Sequence, residues 1–497
     1  MSRCIVIGGG IAGLVAAWQL TRDGIEVDVF ESAPLMGGAL LAHTVAGLEL
    51  NSGAEGFATA APHMFELVDE LGLSDRVVYP STRTSWIINI RGSFPSPVNS
   101  YLGIPADPLA DDVVAVIGHD AAQHAALDAQ LPADYGYRPG VSLGEYVEAR
   151  MGRAVRALLV EPIVGGVHST HPDLLELDSI APRLHPLVRQ QGSLQAAVAA
   201  LRKNAPSSGA AVASLDPVID LLPRTLAAQA EANGARFYNS MNVRSVRRGR
   251  GDGWNIVLDD HIAHADQVVI STPAVVTRDM LSHLPDVAAA IPEVKASPVA
   301  LVTLVVDDER LDDAPRSNGA LVAAHTPGIT AKALTHATAK WDHIRRAAEE
   351  SAPGRHRHVV RLSYGRSGDQ LPPRHELPQL ALRDAGKILG VPLTEDQVVA
   401  VDVTRWGATM TQARPGHQTA LKEVAGHLSH HPGLALTGAW IAGTGIAAIS
   451  AHARAVADHV AGLIPNHPTP AAAVPEDTAS QVAIGAETAT TTEIAGV

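Results

Sequence analysis

The chain opens on a short apolar run, Arg3-Cys4-Ile5-Val6-Ile7. Glycines follow, then a longer apolar run, Leu14-Val15-Ala16-Ala17-Trp18-Gln19-Leu20. The first has the length of a buried strand and the second that of a helix packed on it. A second strand is predicted over Glu26-Val27-Asp28-Val29-Phe30. Met64, Leu67, Val68 and Leu71 then fall at helical spacing within 62–71, and 86–94 alternates as a strand does. From about 105 to 202 the pattern is mostly helical, with Ala154, Leu158 and Leu159 on one stripe. A helix is predicted over 219–233, running through Gly234 into a strand that ends near Val246. Further strands are predicted at 265–273, 299–306, 359–364 and 434–438, and helices at 377–389 and 450–463. Residues 465–497 are Ala, Thr, Pro and Glu with almost no large apolar residues. They are predicted to be a disordered tail, unable to bury enough surface to offset their ordering entropy.

The turn after the first strand, Gly8-Gly9-Gly10-Ile11-Ala12-Gly13, carries chemistry. Gly8 permits a tight turn, Gly10 lets backbone approach a phosphate, and Gly13 lets helix and strand pack closely. The helix N-terminus offers free N–H groups and a positive dipole end to a diphosphate. Glu31, eighteen positions past Gly13, ends the second strand where an acidic side chain accepts hydrogen bonds from ribose hydroxyls. A carboxylate there repels a 2′-phosphate, so FAD or NAD is expected rather than NADP. The strand, turn, helix and acid together make a nucleotide site.

The nucleotide fold recurs in three separated pieces, at the start, middle and end of the chain. That interruption favours FAD, because NAD-binding units are usually contiguous. The expected fold is α/β plus α. A discontinuous Rossmann-type FAD-binding domain spans 1–80, 212–285 and 425–464; a mixed-sheet substrate domain spans 81–104 and 286–424; a helical subdomain spans 105–211. At 497 residues the chain is too long for one core. A net charge of −14 argues against nucleic acid as a partner. The single cysteine, Cys4, excludes an internal disulfide framework and a cysteine-rich metal site, and no metal is expected. With no basic-then-apolar leader and no run of 18 apolar residues, a cytoplasmic protein without a transmembrane segment is expected.

Several islands carry a family likeness. Val141-Ser142-Leu143-Gly144-Glu145-Tyr146-Val147 and Leu159-Val160-Glu161-Pro162-Ile163-Val164-Gly165-Gly166-Val167 resemble the porphyrinogen oxidases, closest to the bacterial coproporphyrinogen III oxidases. Gly53-Ala54-Glu55-Gly56-Phe57, Gly103 to Pro108, Lys332-Ala333-Leu334-Thr335 before Lys340-Trp341, Gly365-Arg366, Arg405-Trp406 and Leu436-Thr437-Gly438-Ala439 agree in order. The likeness spans residues 3–463. It implies noncovalent FAD and molecular oxygen, a six-electron aromatisation of a porphyrinogen, and release of hydrogen peroxide in haem biosynthesis. The flavin N5 would accept hydride, so no catalytic side chain is expected.

The resemblance implies FAD contacts at Gly8, Gly9, Gly10, Ile11, Ala12, Gly13, Glu31, Ser32, Gly38, Gly53, Ala54, Glu55 and Gly56. It adds the Val243 backbone at the adenine, Trp406 near the isoalloxazine, and Gly443, Thr444, Gly445 and Ile446 at the last helix start. A tetracarboxylate substrate calls for cations at the pocket rim, with Arg91, Lys332, Lys340 and Arg366 as candidates. His168 is read as structural rather than catalytic. The chain departs from the family pattern at Ala39, where a basic residue is usual, at Thr411-Gln412-Ala413 in place of Pro-x-Tyr, and at Ala447-Ala448 in place of polar positions. Other readings are a protoporphyrinogen IX oxidase, another flavin oxidase of amines or polyenes, and a non-catalytic FAD-bound scaffold kept open by Ala39.

Overall fold

The computed structural model describes residues 2–203, 211–249, 251, 253–294 and 296–463. The predicted tail, 465–497, lies outside the described residues. A five-stranded parallel sheet forms the base, in the order Arg236–Tyr238, Glu26–Phe30, Arg3–Ile7, Gln267–Ile270, Leu434–Leu436. Its strands come from three distant stretches of chain. Both faces are covered, which is why these strands read as almost continuous apolar runs. Cys4, Val6, Val27, Val29 and Val269 meet the helices Ile11–Arg22, Leu221–Ala232 and Ile446–Gly462. Ile5, Ile7, Val268 and Ile270 face Trp254, Leu281 and Val424 on the other side. Burying a side chain such as Leu14 or Val15 completely contributes about 1.5–3 kcal/mol.

A seven-stranded mixed sheet stands against this unit, in the order Val398–Thr411, Ala296–Asp307, Arg357–Tyr364, Ala333–His336, Gly319–Val322, Trp86–Asn89, Gly92–Pro95. Ala300, Val302, Leu304 and Leu362 pack on the helix Leu377–Leu389, and strand alternation turns Val299, Leu301, Arg361 and Trp406 to the opposite face. The third body is helical. Its core gathers Tyr146, Val147, Leu159, Ile163 and Leu184. Ser142 and Glu145 close a reciprocal capping box on the helix Leu143–Met151, so part of the Ser142-x-x-Glu145 island has a local structural purpose.

Several sequence expectations need correction. The strand expected over 86–94 is a hairpin, because Asn89 Oδ1 accepts from the Arg91 amide and Gly92 adopts φ +137°. The strand expected from Gly234 to Val246 is two strands in different sheets. The chain breaks at Ser240 (φ +57°), whose amide donates to the Ala33 carbonyl while the Met241 amide donates to that of Glu31. The last helix begins at Ile446 rather than Ser450, bringing its first turn to the sheet edge. The 299–306 run is the middle of the longer strand Ala296–Asp307. Val398–Thr411, the partner of that strand, has no counterpart among the sequence expectations.

Candidate active site

The glycine turn is held by its own geometry. Gly8 sits at φ +105°, and a Cβ on Gly13 would stand 1.9 Å from the Gly8 carbonyl oxygen. Ser271, at the end of the neighbouring strand, donates its hydroxyl to the Ile7 and Gly8 carbonyls at 3.0 Å each. Above Gly10 no heavy atom lies within 4 Å of where a Cβ would be, and Gly10, Ile11 and Ala12 line an open cleft. The helix Ile11–Arg22 starts at Gly10 with no side-chain cap, so its first N–H groups await an acceptor. The helix Ile446–Gly462 likewise starts at a glycine, Gly445, with no side-chain cap. Thr444 and Ile446 line the same cleft. Two positive helix ends therefore open on one space.

Glu31 braces this loop. Its carboxylate accepts from the Gly9 and Ala33 amides at 2.7 Å each and from Ser32 Oγ at 3.2 Å. Through the Met241 amide it is also tied to the segment entering the strand Val243–Arg248, so Val243 comes beside the loop that holds the acid. Gly38 packs on Gly10, its Cβ position 3.3 Å from the Gly10 Cα. Gly53 packs on the Ala39 carbonyl, where a Cβ would stand at 2.1 Å, and Trp406 donates its indole N–H to the Ser52 carbonyl at 3.0 Å. Ala39, Gly53, Ala54, Gly56, Val167, Val299, Leu301 and Trp406 form the walls and, with the glycine turn, shape a cleft of about 270 Å³ open at its mouth. Among the described residues no group of three or more His, Cys, Asp or Glu is placed to hold a metal ion.

Glu55 does not face this space. Its carboxylate receives Lys340 Nζ at 2.6 Å and lies 3.2 Å from Arg361 Nη2, and all three side chains are buried. Burial pushes the Glu55 carboxyl up, and the Lys340 and Arg361 charges more than reverse this, leaving it below the ordinary carboxylate range. Burial lowers the Lys340 amine, opposed by the same carboxylate. Arg361 also donates to the Asn51 and Gly53 carbonyls at 3.1 and 2.9 Å, fixing the backbone beside the cleft. Lys340 lines the cleft with its charge already matched.

The other cation candidates separate. Arg91 lies at the hairpin tip with its guanidinium by Gly118, outside the cleft lining. Lys332 and Arg366 come together beside the end of the helix Glu161–His168, next to Val167 in the cleft wall. Burial and the Lys332 charge push the His168 imidazole down to about 4, so it is neutral at pH 7. Ser271, Thr272 and Trp440 were missed by sequence reasoning. They line the cleft, and Trp440 Nε1 donates to the Thr272 carbonyl at 3.2 Å. The signal for them was the sharp stop after Ile270.

The donor set fits FAD. Two uncapped helix ends suit a diphosphate and an electron-rich ring edge, the turn leaves room above Gly10, and an apolar wall suits a planar ring. Residues 11–461 match the family described as flavin containing amine oxidoreductase. The coproporphyrinogen III oxidase of Mycobacterium leprae is 30% identical over 468 residues, covering 92% of this chain and 97% of that protein. That of Bacillus subtilis is 25% identical over 462 residues, covering 89% and 94%. A crystal structure from Exiguobacterium, whose protein is proposed to be a protoporphyrinogen oxidase, superposes with a TM-score of 0.79 at 23% identity, covering 92% of this chain and 98% of that one. Cyclohexylamine oxidase from Brevibacterium oxydans shares the fold, with a TM-score of 0.64 at 16% identity over 92% and 98% of the two chains.

Proposed function

The chain belongs to the flavin-containing amine oxidoreductase family, and we propose that within it this FAD-dependent oxidoreductase converts coproporphyrinogen III to coproporphyrin III. The observation that carries the reading is the cleft itself, where two helix N-termini without side-chain caps and a wall of Val167, Val299, Leu301 and Trp406 line one space. We assign residues 1–80, 212–285 and 425–464 to FAD binding, 81–104 and 286–424 to the substrate, and 105–211 to a helical subdomain. Gly8 to Gly13 and Gly38 hold the diphosphate, Glu31 and Ser32 the ribose, Val243 the adenine; Gly53, Ala54, Gly56, Trp406 and Gly443 to Ile446 hold the ring.

Bound there, FAD supplies two-electron chemistry, acceptance of hydride from a carbon joining two pyrroles, with dioxygen as final acceptor and hydrogen peroxide released. Three such turnovers remove six electrons, so one porphyrinogen and three O2 give one porphyrin and three H2O2. The protein's share is to hold a flat macrocycle against the ring and keep bulk water out. With Ala39 in place of a basic residue, the helix ends supply the positive potential at this part of the cleft. Among the described residues no helix is long and apolar enough to cross a membrane. We place the enzyme in the cytoplasm, where a water-soluble tetracarboxylate would reach it.

Purified protein should be yellow and release flavin on denaturation. Mixed without oxygen with coproporphyrinogen III, its flavin should bleach, and air should then yield fluorescent coproporphyrin. A bound flavin left oxidised by this substrate overturns the reading; reduction by protoporphyrinogen IX alone moves it to that substrate. Glu31→Ala should lower flavin retention on the order of tenfold or more, since it removes the ribose acceptor and the brace on the Gly9 and Ala33 amides together.

A further inference from the structure

Two cations in the substrate half of the molecule lack the anion that buried cations require. Lys332 is fully buried, and its amine donates to Ser169 Oγ. Ser169 is the left-handed residue (φ 55°) that ends the helix Glu161–His168. Arg366 precedes Ser367, whose amide donates to the carbonyl of the same Ser169, so both cations are held at one helix end. Arg366 Nη2 donates to the Val322 carbonyl at 2.6 Å, and a Cβ on Gly165 would stand 3.7 Å from Arg366 Nε. Among the described residues neither side chain has a carboxylate within ion-pairing distance. Two acids act on these cations from farther off: Asp369, whose side chain accepts from the Arg366 amide at 3.2 Å, and Glu161, which accepts from the Ala324 amide at 3.2 Å. Taking a charge out of water without a partner is costly. A binding site accepts that cost when the partner arrives with the ligand.

The surroundings point the same way. Ser367 donates its amide to the Ser169 carbonyl at 2.8 Å, locking the Arg366 loop to the helix end. Its hydroxyl reaches Gln412 Oε1 at 3.4 Å, and Arg414 donates to that oxygen from Nε and Nη2 at 3.3 and 3.2 Å. Gln412 in turn donates to Ser297 Oγ at 2.6 Å. Arg414 is half-buried and also has no carboxylate partner among the described residues. The group borders the cleft at two points. Val167 lies one residue before His168 in the wall, and Gly365 packs on the Pro298 carbonyl beside the lining residue Val299.

We propose that Lys332, Arg366 and Arg414 form a carboxylate receptor at the end of the helix Glu161–His168, which takes neighbouring propionates of the macrocycle and sets its orientation over the flavin. The inference rests on the functional reading above and adds which residues bind the substrate's charge. Lys332 and Arg366 are the inner pair, Arg414 the outer cation. The receptor also moves a proton. Burial, with the Arg366 charge added, lowers the Lys332 amine to about 7. The groups facing it are His168 and Ser169 from the helix end and Arg366 and Asp369 from the loop. A carboxylate docking beside the amine favours its charged form, so above pH 7 binding draws a proton from solvent.

The test is calorimetric binding of coproporphyrin III to the flavin-loaded protein at pH 8, in two buffers of different ionisation enthalpy. Wild type should take up a proton on binding. Lys332→Met should bind on the order of tenfold or more weaker and take up none, and Arg366→Gln should bind weaker by a similar factor. Arg414→Gln, at the outer position, should cost only a few-fold. Variants that keep their flavin and bind coproporphyrin III as tightly as wild type overturn the receptor. If Lys332→Met loses flavin, Arg366→Gln, at a half-buried loop position, decides between the two outcomes by itself. Failure of the functional reading shows separately, as a bound flavin that coproporphyrinogen III leaves oxidised.

Discussion

Lys332 and Lys340 lie eight residues apart on one strand-and-turn unit, and both amines are buried, yet they are built oppositely. Lys340 meets Glu55 and, through it, Arg361, in a closed ion cluster that fixes the backbone at Gly53. Lys332 meets a hydroxyl and a second cation. The first arrangement is complete without a ligand and is a structural element. The second is complete only with one. Burial alone does not separate a core lysine from a binding lysine; the presence of an internal counter-charge does.

The largest expected effect comes from breaking the complete cluster. Glu55→Gln leaves Lys340 and Arg361 without their anion and should lower stability by about 3–5 kcal/mol, read by denaturant unfolding, with flavin lost as Gly53 loosens. The pH dependence has a fixed sign. The Glu55 carboxyl is depressed in the folded protein, so its contribution is present above the unfolded value near 4.3 and is lost as pH falls through the lower folded value. The gap between wild type and Glu55→Gln should therefore narrow in acid.

Removing the incomplete site should do the reverse. Lys332→Met, of similar length and without charge, should stabilise the ligand-free protein at pH 7 by about 1–3 kcal/mol. Here the folded amine is depressed to about 7, so the unfolded chain binds more protons between that pH and the unfolded lysine value near 10.4. Stability rises with pH across that window. The advantage of Lys332→Met should fade toward pH 10, which thermal unfolding at several pH values would show. A smaller effect follows from converting one site into the other. Ser169→Asp places a carboxylate against Lys332 at a left-handed position that Asp tolerates, and should stabilise by about 1 kcal/mol. It should also compete with the substrate, weakening coproporphyrin III binding measured by titration. A variant that bound the porphyrin more tightly would count against the contrast between the two lysines.

The two sites also differ in how far they were legible in the sequence. The nucleotide half was readable because its signals are local, with strand, glycine turn, helix and acid lying within Arg3 to Glu31. The mixed sheet was less so. The strand Val398–Thr411 was missed, and 86–94 hid a turn whose cause, the Asn89 side chain, acts across two residues. Glu55 sits in a glycine-rich island that implied cofactor contact, but its partners lie at Lys340 and Arg361, far off in the chain. Lys332 and Arg366 were named as separate candidates; what joins them is the end of a third element at Ser169. Charge balance is a property of three-dimensional neighbours, and no spacing rule along the chain records it.

The two helix ends that share the cleft belong to Ile11 and Ile446, more than four hundred positions apart. During synthesis the first therefore emerges long before the strand Leu434–Leu436 and the helix behind it. Until then one edge of the five-stranded sheet stays open and the cleft lacks its lining residues Thr444 and Ile446. Such long-range closure is slow and leaves apolar edges exposed meanwhile. A ligand that needs both helix ends binds only the closed form and stabilises it by mass action.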